Sequence, residues 1–133
     1  MSTDDIVPGL ARNGALLLIE NTGTYGQDFV VEAAEQLLAR YGEHVGLTWD
    51  VGHDAGSGRQ DSAFIARHLD RVAHMHLHDF DGKSAHQPLF TGSVDIQAML
   101  DVARTTQATV VIETKTVQSL TASVAALRAR NVM

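Results

Sequence analysis

The chain of 133 residues contains no cysteine, only two prolines and only 5% aromatic residues. Without cysteine, neither a disulfide bond nor a thiolate metal site can form. No apolar run approaches the roughly 18 residues that a membrane-spanning helix needs. Residues 1–5 are acidic at two positions and lack the basic and apolar segments of a signal peptide. We therefore expect a cytoplasmic protein that makes no membrane contact.

Basic residues are also scarce, because 10 lysines and arginines stand against 16 acidic residues and give a net charge of −6. A nucleic-acid-binding surface needs clustered lysine and arginine, so we expect no nucleic-acid partner. An acidic surface does not disfavour a neutral substrate the size of a sugar. The hydrophobic fraction of 44% fits a globular protein, and the length predicts a single domain over residues 1–133.

Four short apolar runs alternate with four segments of helical spacing. The runs cover residues 15–20, 45–50, 72–79 and 109–113, and the helical segments cover residues 29–41, 64–69, 94–103 and 116–127. Strands that alternate with helices of this length predict parallel pairing through right-handed crossovers. The fold class is therefore α/β, with four βα units.

The segments between these elements predict irregular structure. Pro8 and Gly9 predict an irregular lead-in over residues 1–13, and the glycines of residues 52–58 predict a flexible loop. A long polar loop is expected over residues 80–93.

Four βα units make half of an eight-unit α/β barrel, which typically needs about 250 residues. Four parallel strands alone leave two open edges and an uncovered inner face. We expect a homodimer or another self-association that completes the barrel. The alternative is an open four-stranded sheet that is capped by the N-terminal segment.

The apolar runs end in residues that bind metal ions. Glu20, Asp50 and Glu113 close three runs, and the third run ends in a histidine-rich segment over residues 74–79. Oxygen and nitrogen ligands at the C-terminal ends of parallel strands are typical of a divalent-metal site in an α/β barrel. His74, His76 and His78 share one strand face, and only the histidine level with the other ligands can share the metal.

Five phrases carry a resemblance to a known family. They are Leu18–Asn21, Gly46–His53, His76–Asp79, His86–Leu89 and Val111–Glu113. With these phrases, in this order, the chain resembles the C-terminal half of the xylose isomerase-like family of sugar isomerases and epimerases. That family shares its TIM barrel with endonuclease IV. The resemblance runs from about residue 15 to the end and implies that the four βα units are half of a TIM barrel.

The resemblance implies a set of metal ligands, which are Glu20, Asp50, His76 and Glu113. It also implies that Glu20 and Glu113 are catalytic and transfer a proton on opposite faces of a bound sugar, next to its carbonyl group. The expected cofactor is a divalent ion, which is manganese, cobalt or magnesium, with zinc as a further option.

The resemblance also suggests roles for the histidines outside the ligand set. We expect His53 and His86 to contact the substrate, with His53 as an alternative second-metal ligand. His78 occupies a place where the family often has a lysine, nearer the barrel mouth. We expect His74 to be a core histidine and Asp79 to orient a neighbouring histidine.

Three functions remain open. The first is a metal-dependent isomerase or epimerase acting on a sugar or polyol derivative in carbohydrate metabolism. The second is a metal-binding half-barrel that is not catalytic or depends on a partner. The third is an endonuclease IV-like phosphodiesterase, which has less support because Ser84 stands where such a nuclease carries an acidic ligand. Phe90 also departs from the family, which usually has a glycine there.

Overall fold

The computed structural model describes residues 2–133, which form one parallel four-stranded sheet with helices between the strands. The strands are β1 (Leu17–Glu20), β2 (Val45–Asp50), β3 (Val72–Leu77) and β4 (Thr109–Ile112). The α-helices are α1 (Thr3–Arg12), α2 (Asp28–Tyr41), α3 (Val51–Gly56), α4 (Ser62–Arg67), α5 (Ile96–Thr106) and α6 (Val117–Ala129). Two short 3-10 turns, Gly42–His44 and Leu69–Arg71, precede β2 and β3. The predicted alternation of strands and helices is confirmed.

The strands lie side by side in chain order, from β1 to β4. All neighbouring pairs are parallel, and the pairing places Asp50 level with His76 and His76 level with Val111. Parallel strands end at the same edge of a sheet, so the residues that close each strand gather there. This edge carries the candidate site.

The two faces of the sheet differ in burial. Side chains that alternate toward the helices are buried in β2 and β3, and they are Val45, Leu47, Met75 and Leu77. The opposite face carries the polar residues of the site and, on β4, Val111, which is 46% exposed. The hydrophobic core therefore lies between the sheet and the helices.

The N-terminal lead-in, predicted to be irregular over residues 1–13, is a helix over Thr3–Arg12, so this prediction was wrong. The carboxylate of Asp5 accepts hydrogen bonds from the backbone N–H and the hydroxyl of Ser2, each at 3.0 Å, which stabilises the first turn. Val7 is buried, and Asp4 forms an ion pair with Arg40 of α2 at 2.7 Å. These contacts hold the helix although Pro8 removes one of its backbone donors.

Residues 52–58 were predicted to be a flexible loop. This prediction was wrong for residues 52–56, because α3 covers Val51–Gly56. The Asp50 side chain caps this helix by accepting a hydrogen bond from the His53 N–H at 2.7 Å. The same carboxylate that closes β2 thus starts the next helix. Within residues 2–133, no helix is long and apolar enough to cross a membrane.

Candidate active site

The four residues predicted as metal ligands converge on one point. The Nδ1 atom of His76 lies 3.3 Å from Glu20 Oε1, 3.6 Å from Asp50 Oδ2 and 3.5 Å from Glu113 Oε2. Each residue comes from a different strand end, and Glu113 follows β4 directly. The structure therefore brings together the whole predicted ligand set.

Three of these four atoms are buried without a hydrogen-bond partner. Among residues 2–133, four buried side-chain atoms have no hydrogen-bond partner, and three of them are Asp50 Oδ2, His76 Nδ1 and Glu113 Oε2. Burying an unpaired carboxylate oxygen is costly, so such atoms normally have a partner. Three such atoms face one another from three strand ends, so these residues could hold a cation between them.

The spacing also fits an ion. Ligand atoms about 2.1 Å from a metal lie about 3.0 Å apart at octahedral angles and about 3.4 Å apart at tetrahedral angles. The separations of 3.3 to 3.6 Å are all larger than the octahedral value and lie within about 0.2 Å of the tetrahedral value. The side chains of Glu20 and Glu113 are each 41% exposed, so both also reach the solvent side of the site.

Asp50 is held by hydrogen bonds that leave one oxygen free. Its Oδ1 accepts from the His53 N–H and lies 2.8 Å from His78 Nε2. Its Oδ2 lies 3.0 Å from His53 Nδ1, but without the alignment of a hydrogen bond. Burial acts to raise the pKa of Asp50, but the hydrogen bonds from His78 and His53 outweigh it and lower the pKa below its usual value. Asp50 is thus ionised, and its Oδ2 lies toward His76.

His53 and His86, predicted to contact the substrate, lie together beside the ligand set. Their Nε2 atoms are 3.3 Å apart, and the His86 Nδ1 lies 3.4 Å from the Glu113 carbonyl oxygen. The His53 side chain is 40% exposed. Burial lowers the pKa of His86, and the neighbouring His78 acts in the same direction. The two rings therefore place polar nitrogen atoms at the rim of the site, where a hydroxyl group could meet them.

His78 follows the end of β3 at the C-terminal edge of the sheet, and it is fully buried there. Its Nδ1 accepts a hydrogen bond from the His86 N–H at 2.8 Å, and its Nε2 is engaged by Asp50. Both ring nitrogens are therefore occupied. Two other clusters of side chains could hold a metal ion by their spacing, and both include His78: one with Asp50 and Glu113, the other with His53 and His86. Because both nitrogens of His78 are already engaged, His78 is not available as a ligand in either cluster. The grouping of Glu20, Asp50 and His76, with Glu113 beside it, remains.

The prediction for Asp79 was wrong, because this buried carboxylate shapes the loop after β3 and does not orient a histidine. It accepts backbone N–H groups of Phe80, Thr91, Gly92 and Val94 at 2.8 to 3.0 Å. Phe90 adopts a φ of 67°, a conformation that favours glycine, and the Arg130 guanidinium lies 3.8 Å from its ring centroid. The loop thus keeps a left-handed residue at Phe90 without glycine.

The last predicted histidine, His74, lies on the open face of the sheet and is only partly buried. Its Nδ1 lies 2.6 Å from the hydroxyl oxygen of Thr109 on β4. It is hydrogen-bonded as expected, one layer below His76, but it is not in the core.

A buried network that the sequence did not reveal supports β1 and β2. Asn21 donates to the Asp50 carbonyl oxygen at 3.0 Å and accepts from the Asp50 N–H at 2.6 Å. It also donates to Asp61, which accepts the N–H groups of Gly23 and Tyr25 as well. Asn21 therefore fixes the backbone of one predicted ligand, Asp50, and directly follows another, Glu20. In the sequence, the position of Asn21 directly after the strand-end Glu20 was the signal that could have indicated a role at the site.

Tyr25 gives a stability prediction. It is buried against Phe64, burial raises its pKa to about 12, and the charge of Asp61 acts in the same direction. An unfolded tyrosine ionises near about pH 10. The stability that this shift contributes is present below pH 10 and is lost as the pH rises toward 12. Urea unfolding at pH 8, 10 and 11 should show the free energy of unfolding falling above pH 10.

The matched control for this prediction is Tyr25→Phe, which removes the ionisable group. The Tyr25 hydroxyl has no hydrogen-bond partner among the described residues, so the variant should fold well at pH 8. Its stability should fall less steeply above pH 10 than that of the wild type. Equal slopes for the two proteins would contradict the assignment.

The fold and site define a protein class. Residues 2–130 match the xylose isomerase-like TIM barrel family, and the chain belongs to this family. A curated relative, the rhizopine catabolism protein MocC of Rhizobium meliloti, is 41% identical over 51 residues. That match covers 38% of this chain and 16% of MocC.

Two solved structures have the same fold. The apo form of the 3-keto-D-glucoside 4-epimerase YcjR from E. coli matches with a TM-score of 0.65 and 18% identity, over 95% of this chain and 50% of that one. The probable 3-DHS dehydratase AsbF of petrobactin synthesis from Bacillus anthracis matches with a TM-score of 0.67 and 16% identity, over 96% and 54%. The chain spans about half the length of these structures, so the predicted half of a TIM barrel is confirmed.

Proposed function

We propose that this chain is the metal-binding half of a sugar isomerase or epimerase that moves a proton next to a carbonyl group. The observation that carries the proposal is the meeting of three unsatisfied buried atoms, from Asp50, His76 and Glu113, with Glu20 beside them. Family membership supports the reaction class, as does the likeness in fold to an epimerase. The metal-binding half-barrel without catalysis is the rival proposal.

Glu20 and Glu113 are the proposed proton carriers. They stand on the two outer strands of the sheet, on opposite sides of His76, and both reach solvent. A sugar carbon held between them has one carboxylate on each face. One glutamate takes the proton from the carbon beside the carbonyl, and the other returns a proton from the opposite face. This arrangement inverts the carbon or moves the carbonyl along the chain.

His53 and His86 are the proposed contacts for sugar hydroxyl groups. Their Nε2 atoms face each other at 3.3 Å, while the Nδ1 atoms lie 3.0 Å from Asp50 Oδ2 in His53 and 4.0 Å from Glu113 Oε2 in His86. A sugar hydroxyl group that entered between the two rings could replace the hydrogen bond between their Nε2 atoms, because it can both donate and accept. The pair is therefore placed to orient the substrate beside the carboxylates of the site.

The ligand set suits a divalent ion with a preference for oxygen. Three carboxylates and one imidazole fit manganese, cobalt or magnesium, and zinc is a further option. When bound, such an ion would polarise the substrate carbonyl and make the neighbouring carbon more acidic. Glu20, Asp50, His76 and Glu113 would hold it.

We also propose that a second copy of the chain completes the barrel. Within residues 2–133, β1 and β4 each pair on one side only. A twofold axis along the barrel would pair β4 of each copy with β1 of the other, both in parallel, and so make eight strands. Leu16, which is 51% exposed just before β1, and Val111 on β4 would then be covered.

The surface area supports this proposal. A compact monomer of this mass exposes about 6800 Å². The chain exposes 7465 Å². The excess is about 700 Å², close to the roughly 800 Å² that each partner buries in a standard interface. A second copy of the chain would present its own β1 to β4 of the first copy and its own β4 to β1 of the first copy.

Native mass spectrometry in the presence of Co²⁺ or Mn²⁺ tests both proposals at once. We expect a dimer that carries one ion per chain. His76→Gln should lose the ion, whereas His44→Gln, which changes an exposed histidine before β2, should retain it. A metal-loaded monomer would overturn self-association and leave the metal site intact. A dimer or monomer that takes up no ion would overturn the metal-dependent function.

A further inference from the structure

His78 is the buried histidine whose two ring nitrogens have different partners. Its Nδ1 faces the His86 N–H at 2.8 Å, and a backbone N–H can only donate. Nδ1 is therefore the acceptor, and the ring proton of the neutral imidazole lies on Nε2. Nε2 then donates to Asp50 Oδ1 at 2.8 Å. One ring thus connects a loop residue to a proposed metal ligand.

The ring is also clamped from both sides. A Cβ atom added at Gly52, in the first turn of α3, would lie 2.1 Å from two atoms of the His78 ring. The His86 ring stacks on the His78 ring with a centroid distance of 4.2 Å and an angle of 18°. Only glycine at position 52 leaves room for the ring, so its orientation is fixed by packing as well as by hydrogen bonds.

We propose that His78 is a positioning residue, which directs Asp50 Oδ2 toward the metal site and couples the loop at His86 to that ligand. The proposal rests on the proposed function, because it assigns Asp50 as a ligand. A lysine at position 78 could donate to Asp50 but has no acceptor for the His86 N–H. In this chain, the backbone at His86 and the side chain of Asp50 therefore both depend on the orientation of the His78 ring.

Two substitutions separate the two halves of the link. His78→Gln places an amide near the former Nε2 and can still donate to Asp50. His78→Asn places an amide near the former Nδ1 and can still accept from His86. We expect His78→Asn to lower Co²⁺ affinity about 10- to 100-fold and to change the visible Co²⁺ absorption, with His78→Gln within about 3-fold of the wild type. Hydrogen exchange at the His86 amide should be faster in His78→Gln and unchanged in His78→Asn.

A second pair of variants moves the ring without changing its chemistry. Gly52→Ala should lower Co²⁺ affinity as His78→Asn does, although alanine is otherwise the better helix residue. The matched control is Gly56→Ala in the same helix, where the added Cβ has its nearest contact at 3.6 Å, on the Phe80 ring. This control should bind Co²⁺ like the wild type. Folded His78→Asn and Gly52→Ala proteins that bind Co²⁺ normally would overturn the positioning role.

The link can be tested separately from the proposed function. In the wild-type protein, the ¹⁵N chemical shifts of the His78 ring report which nitrogen carries the proton, with no metal present. We expect the proton on Nε2, and a proton on Nδ1 would overturn the link even if every variant failed to fold. A wild-type protein that shows this tautomer but binds no Co²⁺ would instead refute the metal site, and with it the positioning role.

Discussion

Glu113→Gln is expected to lower kcat by about 10²- to 10⁴-fold, measured at saturating metal concentration on a sugar that the wild type converts. Glutamine keeps the shape of the side chain but cannot accept a proton from carbon. Because Glu113 Oε2 also faces His76, metal affinity should fall too, so two high metal concentrations must give the same kcat. Deuterium transfer from D₂O to the carbon beside the carbonyl measures the proton step directly.

The control for this experiment is Glu43→Gln, in the turn before β2 and at the opposite end of the strand from the site. Its turnover should equal that of the wild type. Glu20→Gln should show a loss of similar size, since the mechanism needs a carboxylate on each face of the sugar. If Glu113→Gln kept its turnover and its deuterium transfer on every active sugar, the two-glutamate mechanism would be wrong.

Asp61→Ala is expected to destabilise the fold by about 3 to 5 kcal/mol, which is among the largest effects of a single substitution. The fully buried Asp61 carboxylate accepts from the Asn21 amide at 2.9 Å, the Gly23 N–H at 2.8 Å and the Tyr25 N–H at 2.9 Å. Its removal leaves these three donors without their acceptor. Urea unfolding monitored by circular dichroism measures the loss.

The matched control for Asp61 is Asp95→Asn. Asp95 is exposed and caps α5 by accepting the Ala98 N–H at 3.0 Å, a role that asparagine performs equally well. Its free energy of unfolding should change by less than about 0.5 kcal/mol. Asp61→Ala also frees Asn21, so metal affinity should fall together with stability. An Asp61→Ala protein as stable as Asp95→Asn would show that the network contributes little.

Local patterns predicted what local forces determine. The apolar runs that became β2 and β3 and the helix that ends before Gly42 follow from side-chain periodicity and the conformational freedom of glycine. Parallel pairing then brings the strand ends to one edge, so Glu20, Asp50 and Glu113 could be grouped with one histidine of the third run, and the family resemblance selected His76. The number of residues between the strand ends does not by itself predict that they meet.

The sequence could not predict contacts that join distant segments. Asn21 and Asp61 are 40 residues apart, and His78 meets Asp50 across 28, so neither pair leaves a periodic or local signal. The helix at Thr3–Arg12 was missed because Pro8 and Gly9 outweighed the cap at Ser2 and Asp5 in a local reading.

The close packing of Gly52 against His78 has an evolutionary consequence. An alanine at position 52 cannot coexist with this orientation of the histidine ring, because the added Cβ would lie 2.1 Å from two ring atoms, far inside van der Waals contact. A lineage can therefore reach this pair only by acquiring or keeping glycine at position 52 first. Among homologous chains, histidine at position 78 should be found almost exclusively with glycine at position 52, whereas a narrower residue at 78 would free position 52 to vary.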